Sequence, residues 1–140
     1  MELVVDTNIV FSAIVKDSYT RLLLCNQNLV LYAPEALISE LNEHEKEIRE
    51  KSGLRGEEWG ELMGLLLSKI RLVSRKDIAR YLKKALEFSP DKEDAPFFAA
   101  CLARDVPLWS NDKKLKEQAA VKVLTTEELV RRISGYKKRK

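Results

Sequence analysis

Short apolar runs rich in Val, Leu and Ile recur along this chain, and helical stretches separate each from the next. Glu2 to Val5, Leu29 to Ala33, Ile70 to Val73, Val106 to Ser110 and Val121 to Leu124 have the length and composition of buried parallel strands. Between them, Asn8 to Val15 and Tyr19 to Gln27 read as helices, broken near Lys16 to Ser18. Pro34 opens a helix in which Leu37, Ile38, Leu41, His44 and Ile48 follow the 3.6-residue period. Glu58 to Ser68, Lys76 to Phe88 and Asp112 to Ala119 are further helices, and Ser52 to Gly56 is a loop. Ala95 to Ala103 (APFFAACLA) is apolar on every face, the pattern of a helix buried on all sides. Thr125 and Glu128 match a capping box for the last helix. Strands that alternate with helices predict an α/β fold of three layers, α/β/α, around a mostly parallel sheet of about four to five strands.

The 140 residues suffice for one domain with a real core, expected over 1–135, followed by a basic tail over 136–140. A composition of 45% hydrophobic and 34% charged residues is that of a globular protein with a charged surface. No apolar run reaches membrane-spanning length, and MELVVDTN reads as a strand and not a leader, so a cytoplasmic protein is expected. Cys25 and Cys101 lie in apolar helical surroundings and read as free thiols. The net charge of +3 is concentrated in Tyr136-Lys137-Lys138-Arg139-Lys140, a tail that either attracts a polyanion or is simply solvated.

In a parallel sheet every strand ends at one edge, and the crossover helices begin there. Asp6 follows the first strand, and Asp112 follows the fourth by two residues. Asp94 falls at the start of the buried helix, and Glu40 in the second turn of the helix opened by Pro34, at the margin of its apolar stripe. All four are expected at the edge where open α/β sheets bind ligands. Four carboxylates at one place repel one another unless a cation lies between them, which points to Mg²⁺ or Mn²⁺. Each acid alone has a plainer reading: Asp6, Asp91, Asp94 and Asp112 as helix caps, Glu40 as a surface residue. Their coincidence at one predicted edge is what favours a site.

With this ordered set the chain resembles the PIN domain family, metal-dependent nucleases that include toxin ribonucleases of toxin–antitoxin pairs. The resemblance runs from VVDTNIVFSA through ISELNE and SPDKEDAPFFAACLA to PLWSNDKKL. It places Asp6, Glu40, Asp94 and Asp112 as the four family acids and Asn8 and Ser110 as polar positions that help hold the site. Asp91, one turn before Asp94, offers an additional carboxylate to the metal. What the resemblance implies is an endoribonuclease that hydrolyses phosphodiester bonds with metal-activated water, leaving a 5′-phosphate and a 3′-hydroxyl. It also implies a single-stranded RNA substrate, a homodimer and, as a partner, a separate antitoxin protein. Asp6 and Asp94 are expected as direct ligands, with Glu40 and Asp112 binding a second ion directly or acting through water.

Lys16, Arg21, Lys92, Lys113 and Lys114 flank the acids in sequence and are candidates for phosphate contacts, with a solvated surface as the plainer reading. His44, the only histidine, lies on the apolar stripe and reads as a partly buried structural residue. Trp109 reads as core. Trp59, among Glu57, Glu58 and Glu61, reads as a dimer or lid contact. A haloacid-dehalogenase-type phosphatase needs a second Asp where this chain has Asn8, and a receiver domain needs an Asp after the third strand, where Ser74 stands. The remaining alternative is a non-catalytic RNA-binding or regulatory scaffold of the same fold.

Overall fold

The computed structural model describes residues 1–15 and 18–138. Lys16 therefore lies outside the described residues. The strands are β1 (Glu2–Val5), β2 (Val30–Ala33), β3 (Ile70–Leu72), β4 (Leu108–Trp109) and β5 (Val123–Leu124). The helices are α1 (Thr7–Val15), α2 (Ser18–Leu24), α3 (Ala36–Glu43), α4 (Glu45–Ser52), α5 (Glu57–Ser68), α6 (Arg75–Phe88), α7 (Ala95–Arg104) and α8 (Thr126–Lys138). Two 3-10 turns, Lys92–Asp94 and Lys113–Glu117, precede α7 and follow β4.

The sheet order is β3-β2-β1-β4-β5, and every pairing is parallel. The fold is thus the expected α/β/α arrangement, with a sheet parallel throughout. Leu3, Val4 and Val5 of the central strand are fully buried, which explains their unbroken apolar run. Val4 registers with Tyr32 on one side and Leu108 on the other. From β1 the chain winds outward through β2 and β3, then returns to place β4 on the opposite flank of β1. That reversal opens a crevice between the ends of β1 and β4.

Helix α7 carries the buried Ala95 and Phe97 to Cys101, as its all-round apolarity requires, and Phe98 packs edge-to-face on Phe88 of α6 at 5.2 Å. Pro96 sits in its first turn, where its missing N–H costs nothing. The Thr125–Glu128 capping box forms in both directions, each backbone N–H donating to the other's side chain at 3.1 Å. Gly53 and Gly56 take positive φ in the loop between α4 and α5. Cys25 and Cys101 are free thiols, and burial pushes the Cys101 thiol well above its ordinary range.

Several boundaries differ from expectation. The helix opened by Pro34 divides at His44, whose φ of −105° and ψ of 12° end α3 and begin α4. The apolar period runs on through that break, which is why periodicity alone does not reveal it. Strand β4 begins only after Pro107, which has no N–H to give to the ladder, although its carbonyl accepts from Val4 at 3.0 Å. The stretch expected as a helix from Asp112 to Ala119 is a 3-10 turn over Lys113–Glu117. Helix α8 runs to Lys138, and Arg139 and Lys140 of the expected tail lie outside the described residues.

Trp59 is buried in the core, not presented to a partner or lid, and the Arg49 guanidinium lies 5.5 Å from its ring centre. The neighbouring glutamates occupy the other faces of α5. Trp109 is core as expected, its indole Nε1 donating to Thr126 at 3.0 Å. Among the described residues no helix is long and apolar enough to cross a membrane.

Candidate functional site

Asp6 is the first residue beyond β1, and its backbone N–H donates to the Trp109 carbonyl at 3.0 Å, holding the end of β1 against β4. Its carboxylate therefore sits at the crevice where the strand order reverses. Ser110, fully buried just after β4, donates its hydroxyl to Asp6 Oδ2 at 2.7 Å. The same Ser110 oxygen accepts the backbone N–H of Asp112 at 3.1 Å. One hydroxyl thus ties the first acid to the loop that carries the fourth.

Glu40 reaches the crevice from the second turn of α3, where the buried hydroxyl of Thr7 donates to its Oε2. Asp94 ends the 3-10 turn before α7 and makes no side-chain cap bond to that helix; its carboxylate lines the cleft and accepts from the backbone of Asp91. Asp91 caps that turn, accepting the Glu93 N–H at 3.3 Å, and Asp112 caps the next, accepting the Lys114 N–H at 3.0 Å. Asp6 accepts from the backbone of Thr7 and Asn8 at the start of α1. Capping and site-forming are therefore not rival roles for Asp6, Asp91 and Asp112: helix and turn starts gather at the edge of the sheet, and their caps gather with them.

Asp6, Glu40, Asp94 and Asp112 line one cleft of about 620 Å³ together with Asp91, Glu43 and Glu93. Asn8 and Lys114 also line it. Lys92 and Lys113 do not, and Arg21 is engaged elsewhere, donating to the carbonyls of Ala13 at 2.8 Å and Ile14 at 3.2 Å near the end of α1. Of the expected phosphate contacts, Lys114 alone stands in the cleft wall among the described residues.

The carboxylates feel both the protein and one another. Burial raises the Asp6 carboxyl above its ordinary value, the Ser110 hydrogen bond draws it back, and Asp112 raises it again. Burial likewise raises Glu40 against the lowering effect of Thr7, with Asp6, Glu93 and Glu43 adding repulsion. Asp94 is pushed up to about 6, by burial first and then by Asp6, Asp91 and Asp112. Acids that have no strong cation among them share this signature.

Among the described residues, no three His, Cys, Asp or Glu side chains are gathered closely enough to ligate a metal ion as they stand. Thr7 and Ser110 instead hold Glu40 and Asp6 by hydrogen bonds. The donor set still fits a hard divalent cation: it is all oxygen, strongly anionic and open to solvent on one side.

Three features of the cleft escaped the sequence reading. Thr7 is buried, and its hydroxyl bond marks it as the partner of Glu40. Glu93 faces Glu40 electrostatically, and the Glu-Asp pair preceding the buried helix was its available signal. His44 is exposed, correcting its expected partial burial. It lines the cleft at the α3–α4 break, edge-to-face with Phe11 at 5.9 Å.

A family model for the PIN domain matches residues 4–134. The chain belongs to the PIN domain family. This is a nuclease family, and the match spans every acid that lines the cleft. The PIN fold is also found in a solved structure of VapBC2 from Rickettsia felis bound to a DNA fragment from their promoter. It superposes with a TM-score of 0.63 at 19% identity, covering 89% of this chain and 98% of that one. A comparison with curated proteins gave no match.

Proposed function

We propose that this PIN domain is a metal-dependent endoribonuclease that hydrolyses phosphodiester bonds in RNA. The observation that carries the reading is the convergence of Asp6, Glu40, Asp94 and Asp112 on one cleft at the crevice between β1 and β4, with three of the four carboxyls raised by burial and mutual repulsion.

Asp6 and Asp94 would hold Mg²⁺ or Mn²⁺ directly, with Glu40 and Asp112 beside them and Asp91 as a further carboxylate. The ion supplies Lewis acidity that makes water more acidic and offsets charge on the leaving oxygen. The chain's own groups do the rest. Ser110 fixes the orientation of Asp6 and links it to Asp112. Thr7 fixes that of Glu40. Lys114 gives the wall of the cleft a positive group for an RNA phosphate. Without a cation the surrounding carboxylates repel that phosphate, so substrate binding and metal binding are coupled.

The same proposal covers assembly. The likeness to VapBC2, a toxin–antitoxin complex on promoter DNA, supports a separate antitoxin protein as partner, and a homodimer is part of the same reading. Labelled single-stranded RNA incubated with the purified protein tests the reading. Cleavage is expected on adding Mn²⁺ or Mg²⁺, with 5′-phosphate products and full arrest by chelator. Cleavage that persists undiminished in chelator would contradict it.

A further inference from the structure

A second groove of about 780 Å³ opens between α1 and α4, lined by Phe11, Ser12, Val15, His44, Ile48 and Lys51. It shares Phe11 and His44 with the acidic cleft, so the two spaces meet at that aromatic pair. We infer that this groove is a nucleobase subsite, taking a base next to the scissile phosphate while the acidic cleft takes the phosphate. The inference rests on the ribonuclease reading above.

The chemistry of the wall suits a base. Phe11, Val15 and Ile48 give it an apolar floor, and Ser12 and Lys51 offer polar groups at its margin. Pockets of this size with few polar groups accommodate molecules of nucleoside size and larger. His44 stands 46% exposed where the backbone breaks between α3 and α4, its ring at 79° to Phe11. The His44 N–H donates to the Glu40 carbonyl at 3.2 Å, and this spacing of four residues sets an aromatic edge one turn beyond Glu40. Glu47 also lines the groove, but its carboxylate is paired with Lys51 at 2.8 Å and lies 3.8 Å from His44 Nδ1. That pairing reduces its repulsion of a nucleotide. Continuity with the cleft is what selects a base over another occupant: a strand that leaves the acids through the shared opening meets Phe11 and His44.

The test is an abasic scan. A fluorescent single-stranded oligoribonucleotide, and versions with one base removed at each position in turn, are bound to the full chain in Ca²⁺ and followed by anisotropy. Phe11→Leu keeps the apolar packing of the partly buried residue 11 but loses the ring, Phe11→Tyr restores a ring, and His44→Ala changes only an exposed residue. Removal of one particular base is expected to weaken wild-type binding about tenfold. The same removal is expected to cost Phe11→Leu little more, and to cost Phe11→Tyr as much as wild type. Equal abasic penalties in wild type and Phe11→Leu overturn the subsite, as does RNA binding unchanged by Phe11→Leu and His44→Ala, the result a groove for a protein segment gives. Cleavage in Mn²⁺ is read separately: its absence in wild type sinks the nuclease reading, whereas the abasic comparison decides the subsite.

Discussion

Ser110 and Asp6 are 104 residues apart in the chain, and the hydroxyl of one donates to the carboxylate of the other at 2.7 Å. The bond closes the gap between β4 and β1 at the point where the strand order reverses, and the Asp112 N–H is anchored on the same oxygen. Ser110→Ala leaves the partly buried Asp112 N–H without its acceptor and Asp6 without one of its donors. The expected cost is about 2 kcal/mol of stability. Because the Ser110 bond lowers the Asp6 carboxyl, its loss also raises that group further. Thermal unfolding and cleavage rates of the variant should both fall. Unchanged unfolding would show that the bond contributes nothing net.

Asp94 predicts a dependence on pH. Its carboxyl rises from an ordinary 3.8 to about 6, so the folded protein holds this proton more tightly than the unfolded chain does. Stability without metal should therefore decline as pH rises from about 4 to about 6, and the penalty is complete above that. Solvent screening of this half-exposed group leaves a penalty of roughly 1 kcal/mol, from burial first and then from repulsion. Asp94→Asn removes it. The metal-free variant should melt a few degrees above wild type at pH 8, by roughly 3 °C, and at the same temperature as wild type near pH 4. A variant less stable than wild type at pH 8 in chelator would contradict this.

Thr7→Val keeps the shape of a buried side chain while deleting the hydroxyl that holds Glu40. Stability should change by no more than about 1 kcal/mol, since Glu40 can turn to water. Cleavage should slow and Glu40 titrate at still higher pH, because the Thr7 bond lowers it. An unaltered cleavage rate would remove Glu40 positioning from the account.

How much of this was visible in the residues alone differs from place to place. Asp6, Asp94 and Asp112 were placeable because strand and helix ends are marked by local chemistry, and a parallel sheet brings such ends to one edge. Glu40 followed from its phase relative to Leu37 and Leu41. The break at His44 was not visible, because Leu41 and Ile48 keep a helical spacing across it. Trp59 was misread because three glutamates set the apparent character of its turn, while burial is decided by the face a ring occupies. Thr7 was hidden for a different reason: hydrogen-bond partners from another element depend on tertiary packing, which no local pattern encodes.

Asp105 follows α7 with φ of 55°, the one non-glycine residue at positive φ among the described residues. Glycine adopts this conformation without the Cβ penalty. Asp105→Gly should raise stability by about 0.5 kcal/mol, the gain being reduced by the greater freedom of the unfolded chain. Denaturant titration checks this, and a loss of stability would mean that the aspartate side chain contributes at this turn.

Whether the acids converging on the cleft form a metal-dependent ribonuclease site is decided by Asp6→Asn. Asparagine keeps the size of the side chain and can still accept from Ser110, but it cannot carry the charge that a divalent ion requires. Circular dichroism should show the fold intact, and Mn²⁺ should raise the melting temperature of wild type but not of the variant. Cleavage of single-stranded RNA in Mn²⁺ should fall at least about a hundredfold. A folded Asp6→Asn protein that cleaves RNA at the wild-type rate would contradict the account.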